Sequence, residues 1–367
     1  MSKPKLVFLL GSISQPRCIK RINSFISKGF DIEIYGIDRG IYNENASISG
    51  KHINNIGKQK DGDDYFKKMI NNNIEINKII KSHKTQSTVF YSFGFALTLS
   101  LFLNGCRNYV YEVSDILYGY NRFNLIRPIL RIIDKYLIKK SIVTVFTSEG
   151  FVKYLFSNNK PDNIIIQPNR LNVYFRNVER SNYHSNVEST NLRFAYVGAF
   201  RYPNTVFRFA KIIGESFPQN EFHFYGDSKF TEQVIMLSNQ YDNIKYFGSF
   251  KNPDDLESIY KNFDVVVACY DIQSLNERIA EPNKLYEALF FNKPIIVSKN
   301  TFLAKKVENL NCGYAIDASN DQSIISFIDS LNTNHLNSII DNISTINEDE
   351  IIDDNSEKLI FLLKNKI

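Results

Sequence analysis

The residues best suited to chemistry stand together at 281–298: Glu281-Pro282-Asn283-Lys284-Leu285-Tyr286-Glu287, an apolar continuation, then Lys293-Pro294 and a β-prone Ile-Ile-Val. Pro282 suits the first turn of a helix, where its missing N–H costs nothing. Leu285, Ala288 and Leu289 give that helix a buried face. Free N–H groups at such a helix start, with Lys284 beside them, form an anion site suited to a diphosphate. Glu287, one turn further on, can accept two hydrogen bonds from vicinal ribose hydroxyls. The same residues also fit an ordinary capped helix with Lys284 and Glu287 solvated.

Other chemistries find less support. Asp61-Gly62-Asp63-Asp64 has the letters of a metal-binding Asp-x-Asp, but it follows Lys58-Gln59-Lys60 in polar sequence and not a hydrophobic strand. It reads as a solvated loop or helix start, so no metal site is assigned. Cys18, Cys106, Cys269 and Cys312 lie far apart without a CxxC, as reduced thiols of a cytosolic protein do. The five histidines form no HxxxH or HExxH pair. Neither a P-loop nor GxGxxG is present, which argues against an NTPase or a dinucleotide oxidoreductase.

The elements that must position these residues alternate in type. Lys5–Leu10 is an apolar run suited to a buried parallel strand, and not a signal peptide. A helix over 17–28 closes at Gly29, and a strand over 31–37 follows. Residues 43–84 are polar, with a helix pattern at 65–80. Further strands are expected at 89–92, 108–112, 142–147 and 164–167, separated by helical segments. After an irregular stretch, a second series runs Arg193–Val197 into Gly198, Glu221–Tyr225 into Gly226 and 244–247 into Gly248, then 264–268 and 294–298. Strands that end in glycine are a device of Rossmann-like domains, where the chain turns sharply at the carboxyl edge of the sheet. The pattern predicts an α/β protein of two domains: 1–172, a linker at 173–191, and 192–345, with a C-terminal helical segment at 346–367. At 367 residues, 43% apolar and 23% charged, the composition is that of a soluble globular protein. No run approaches the ~20 apolar residues of a membrane span.

Several segments, in order, resemble the family-4-type retaining glycosyltransferases of the GT-B fold. Pro282 to Pro294 resembles their Pro-x-Lys-[hydrophobic]-x-Glu…Lys-Pro nucleotide segment. Phe194 to Tyr202, with Gly198 and Arg201, resembles the first strand and loop of their donor domain. Asp255 to Tyr260 with Asp264 to Tyr270, Gln167-Pro168-Asn169, and Thr147 to Phe151 match further segments. The resemblance covers most of 109–313. It implies two Rossmann-like domains facing a central cleft, with the C-terminal helix crossing back to the N-terminal one. It also implies a nucleotide-sugar donor, UDP-sugar first and GDP-sugar next, and no cofactor beyond that co-substrate. Arg201 and Lys284 would offset the diphosphate charge and stabilise the leaving nucleoside diphosphate without a metal. Glu287 would hold the ribose, with Gly198, Pro282, Asn283 and Leu285 lining the nucleotide site. The Gly11-Ser12 loop would border donor sugar and acceptor. Many relatives carry a second glutamate eight positions before that of Glu287. Ile279 stands there in this chain, and Glu281 is the expected substitute. Glu112 and Asp115, just past a strand of the acceptor domain, read either as site acids, with Asp115 catalytic, or as a helix N-cap with a solvated acid.

Charge adds one more expectation. The chain carries +5, and the window 121–140 holds six basic residues against Asp134 alone. That local excess points to one anionic surface and not to nucleic acid. Phe123, Ile126, Leu130, Ile133 and Leu137 form one stripe at helical spacing; Arg127, Arg131, Lys135 and Lys139 form another. Either this is a packed helix with a solvated basic face, or the cationic stripe meets anionic lipid headgroups at the inner face of the plasma membrane. The function expected is sugar transfer to a saccharide or lipid-linked acceptor in capsule, O-antigen or exopolysaccharide synthesis. A sugar-nucleotide epimerase of the same shape and a non-catalytic nucleotide-sugar-binding subunit are the alternatives.

Overall fold

Segments such as Thr88–Phe93, buried along their whole length, need helices on both faces and therefore pair in parallel. The computed structural model describes residues 5–13, 15–39, 48–59, 65–83, 88–180, 187, 191–354 and 356–366, without the side chains of 65–68. The first sheet contains β1 (Lys5–Leu10), β2 (Asp31–Asp38), β3 (Ile53–Lys58), β4 (Thr88–Phe93), β5 (Tyr109–Val113), β6 (Val143–Phe146) and β7 (Ile164–Ile166). Its order is β3-β2-β1-β4-β5-β6-β7. The second contains β8 (Arg193–Val197), β9 (Glu221–Tyr225), β10 (Ile244–Tyr246), β11 (Val265–Ala268), β12 (Ile295–Ser298) and β13 (Gly313–Ile316), in the order β10-β9-β8-β11-β12-β13. Every recorded strand pair is parallel. In each sheet the direction of winding reverses beside the first strand, β1 against β4 and β8 against β11, and open α/β sheets bind ligands at that point.

Two strands were not expected. β3 is a half-exposed edge, Ile-Asn-Asn-Ile-Gly-Lys, and β13 is only four residues long. Neither has the continuous apolar run that marks an interior parallel strand.

The chain divides into two compact units, Met1–Asn169 with Asp354–Ile367, and Arg170–Asp353. In the first, Phe8 stacks on Tyr91 with ring centroids 4.8 Å apart, and Phe25 meets both edge-on. The helix Glu357–Lys364 contributes Leu359, Ile360 and Leu363 to this same core. The stretch expected as a linker opens inside the second unit. Phe175 is fully buried, 4.9 Å from the Phe290 ring, and Arg180 donates to the carbonyls of Leu289, Ile343 and Ile346. Its polar composition conceals these two anchors, while 181–186 and 188–190 lie outside the described residues, as do Asp61 to Asp64.

The helix Arg127–Lys140 corrects the expected orientation of the basic stripe. Arg127 donates to the carbonyls of Tyr118 and Gly119, Arg131 donates to that of Tyr154 and lies over its ring, and Lys135 lies over Phe156. Three of the four stripe cations therefore face the protein. The long apolar stems of arginine and lysine allow this, so charge periodicity alone does not say which face is wet.

Candidate functional site

The site in the second unit is built on backbone before it is built on side chains. β8, β9 and β10 lead into Gly198, Gly226 and Gly248, with φ of +120°, +137° and +79°. The Gly198 N–H donates to the Tyr225 carbonyl and that of Gly226 to the Gly248 carbonyl, each at 2.8 Å. A Cβ on Gly226 would lie 2.2 Å from the Gly198 carbonyl oxygen, and one on Gly198 would lie 3.0 Å from the Lys284 ammonium. Positive φ favours glycine at both positions, and at Gly226 the close approach of backbone requires it as well.

Lys284 opens the helix Lys284–Phe290, so Pro282 stands before that helix and not within its first turn. The Leu285 N–H donates to the Pro282 carbonyl, and the Leu285 side chain is fully buried in the core. Lys284 is itself buried, its Nζ 4.6 Å from the centre of the Tyr196 ring and 5.8 Å from that of Tyr270. Tyr270 stacks on Tyr202 at 4.3 Å. Burial pushes the Lys284 ammonium down to about 8; Glu287 opposes that shift and the guanidinium of Arg201 adds to it. Arg201, exposed on the loop after β8, thus acts electrostatically on a buried cation. Two like charges held near each other are stabilised by a bound anion.

Glu287 is buried too, and desolvation raises its carboxyl above the usual range against the pull of Lys284. The Tyr260 hydroxyl donates to Oε2 at 2.8 Å and the Asn283 amide to Oε1 at 2.6 Å. Asn252 hydrogen-bonds the same carboxylate, which with about four acceptor sites keeps capacity for a further donor. Glu281 belongs to a different group: its carboxylate accepts from the Tyr286 hydroxyl and from Lys306.

The sequence alone does not mark Tyr196, Tyr260 and Tyr270 as site residues. All three lie in segments that carry the family resemblance, but their partners are far along the chain and local spacing does not name them. Tyr260 lies 27 residues from Glu287.

In the first unit, Gly11 and Ser12 follow β1 at the carboxyl edge. The Arg39 Nε donates to the Gly11 carbonyl at 2.7 Å, and a Cβ on Gly11 would meet nothing closer than 3.8 Å. Among the described residues nothing demands glycine there. Asp115 is exposed just after β5. Glu112 is completely buried; its Oε2 accepts from the Tyr91 hydroxyl and from Arg21 Nε, the latter at 3.1 Å. The arginine also donates to Ser356 at 2.7 Å. Glu112 is therefore neither a solvated acid nor a helix cap. Among the described residues, no three His, Cys, Asp or Glu side chains gather to hold a metal ion.

Residues 179–343 match the family model for glycosyl transferases group 1. No curated protein matches the sequence. In fold, the chain is similar to a sucrose-phosphate synthase from Thermosynechococcus elongatus (12% identity, TM-score 0.70, covering 99% of each chain). It is similar to HepE from Anabaena in complex with UDP and glucose (13% identity, TM-score 0.67, 98% of this chain and 99% of that one). A glycosyltransferase from Rickettsia africae is a third such structure (14% identity, TM-score 0.62, 100% and 97%). At these identities the likeness is one of fold.

Proposed function

We propose that this chain, a GT-B protein whose second unit carries a glycosyl transferases group 1 domain, moves a sugar from a nucleotide-sugar donor to a saccharide or lipid-linked acceptor. The observation that carries this reading is Lys284. A buried ammonium without a bound anion is costly, and its neighbours add a second cation in Arg201 and a carboxylate in Glu287. A nucleoside diphosphate satisfies all three. Its phosphates take the charge of Lys284 and Arg201, and a ribose hydroxyl donates to the acceptor capacity remaining on Glu287.

As the glycosidic bond breaks, negative charge grows on the departing diphosphate, and the two cations stabilise it without a divalent metal. UDP is the favoured nucleotide, in keeping with the UDP complex of HepE, a protein of the same fold, and GDP is next. Retention of anomeric configuration follows from the family resemblance. The first unit takes the acceptor, with Gly11, Ser12 and Asp115 at its sheet edge. The acceptor is met at an anionic membrane through 121–140, in a surface-polysaccharide pathway. A non-catalytic donor-binding subunit is the second reading, and the occupation of Glu281 by Tyr286 and Lys306 favours it.

A thermal-shift series with UDP, GDP and CMP tests the donor. Ligand at a hundredfold excess over Kd adds about 2.7 kcal/mol to the stability of the protein that binds it. Glu287→Ala should weaken UDP binding by ~1.5–3 kcal/mol, the scale of hydrogen bonds to a charged group. Transfer should persist in excess EDTA. Unchanged UDP affinity in a folded Glu287→Ala protein removes the ribose role, and UDP binding without turnover selects the subunit reading.

A further inference from the structure

With three of its basic residues turned inward, the helix Arg127–Lys140 presents something else to solvent. On the helix Ile129 is 61% exposed, Ile132 69% and Tyr136 49%, and in the turn that leads into it Leu125 is 97% exposed. The numbers of the three helical residues advance by three and four, so they form a single ridge along one face, which Leu125 precedes in the chain. The Tyr136 ring meets Phe102 edge-on at 5.5 Å, which ties the ridge to the end of the helix Phe95–Leu103, where Leu103 is 65% exposed. Cations border the ridge. Lys140 lies 5.6 Å over the Tyr136 ring, Arg107 lies 3.9 Å over Phe102, and Arg122 and Lys139 are exposed on the same segment. The one acid of 121–140, Asp134, is buried and accepts from the hydroxyls of Tyr111 and Tyr118, so it adds no negative charge to this surface.

We propose that Leu125, Ile129, Ile132, Tyr136 and Leu103 insert into the headgroup–acyl boundary of an anionic bilayer, with Arg107, Arg122, Lys139 and Lys140 paired to lipid phosphates at the rim. This rests on the proposed membrane contact of 121–140 and changes the side chains that make it: insertion of an apolar ridge replaces adsorption of a cationic stripe.

Charge selects the occupant. A second copy of the chain packed on this face by twofold symmetry would set each rim cation against its own kind. An anionic lipid surface complements the rim and solvates the ridge. Among the described residues no helix is long and apolar enough to cross a membrane, and the fourteen residues of Arg127–Lys140 extend only about 21 Å at ~1.5 Å per residue, so the helix lies in the interface plane.

Because the chain has no tryptophan, a single introduced one reports its own surroundings. Ile129→Trp should show a blue-shifted emission, and acrylamide quenching reduced by about threefold or more, when phosphatidylcholine–phosphatidylglycerol vesicles are added. Phe361→Trp, 67% exposed on another helix of the same unit, should not change. Ile129→Ser with Ile132→Ser should lower vesicle affinity by about a hundredfold, since each buried aliphatic side chain is worth roughly tenfold in partitioning. Its UDP-induced thermal shift should match the wild type, which keeps donor binding and docking separate. Vesicle binding with Ile129→Trp still fully quenched overturns insertion and leaves the electrostatic contact standing. No binding to vesicles at all overturns both. A wild-type dimer that the double serine variant converts to monomer gives the ridge to a second copy and overturns the proposal.

Discussion

The ammonium of Lys284 sits against two tyrosine rings with a guanidinium acting on it, and its protonation therefore couples to folding. Its value falls from 10.5 in an open chain to about 8 in the folded protein. Between these values the unfolded chain holds a proton that the folded one has lost, so stability rises with pH across that window; below about 8 the full cost of the buried charge is present. The cost is up to about 3 kcal/mol. Lys284→Met should accordingly raise the melting temperature of the unliganded protein at pH 7, lose that advantage near pH 10, and abolish the UDP-induced shift. A variant that melts like the wild type at pH 7 would mean the ammonium is solvated in solution. The sequence places Lys284 three residues before Glu287, but it does not disclose that both are buried. Burial depends on Tyr196, Tyr260 and Tyr270, which reach them from other elements.

At the scale of elements, much was legible because a glycine at a strand end is a local signal. Gly198, Gly226 and Gly248 each follow an apolar run, and the strand ends β8, β9 and β10 fall within a residue of their expected positions. Less could be read where two periodicities overlap, as in Arg127–Lys140, since spacing defines faces without saying which one the core takes. The edge strand β3 escaped notice for want of an apolar run. Glycines that look alike in sequence should also part company in experiment. Gly226→Ala sets a Cβ 2.2 Å from a backbone oxygen at φ +137° and should cost more than about 2 kcal/mol of stability. Gly11→Ala meets only ordinary contacts and should melt within about 0.5 kcal/mol of wild type, yet lose transfer activity if ligand approaches that backbone. Denaturant melts and a turnover assay on the two proteins check both halves. A fully active Gly11→Ala enzyme would remove that loop from the site.

At the scale of the molecule, the family match lies wholly in the second unit, 179–343, while the likeness of fold extends over both. The first unit is discontinuous in sequence, and its last portion is small but central. Leu359, Ile360 and Leu363 are buried in its core, and Ser356 accepts from the arginine that neutralises Glu112. Burying three such side chains contributes about 1.5–3 kcal/mol each, comparable in sum with the whole stability of an ordinary domain. A chain ended after Asp353 should therefore melt in two steps, the first unit well below the second, with UDP binding kept. A single transition at the wild-type temperature would show the segment to be dispensable. The same arrangement sets an order of events on the ribosome. The first 169 residues emerge early but lack a wall of their core until residues 356–363 have been translated, whereas the second unit has all its parts by Asp353. The half of the protein that is made first is thus the half that finishes folding last. A nonsense codon just after that of Asp353 would injure the first unit more than the second.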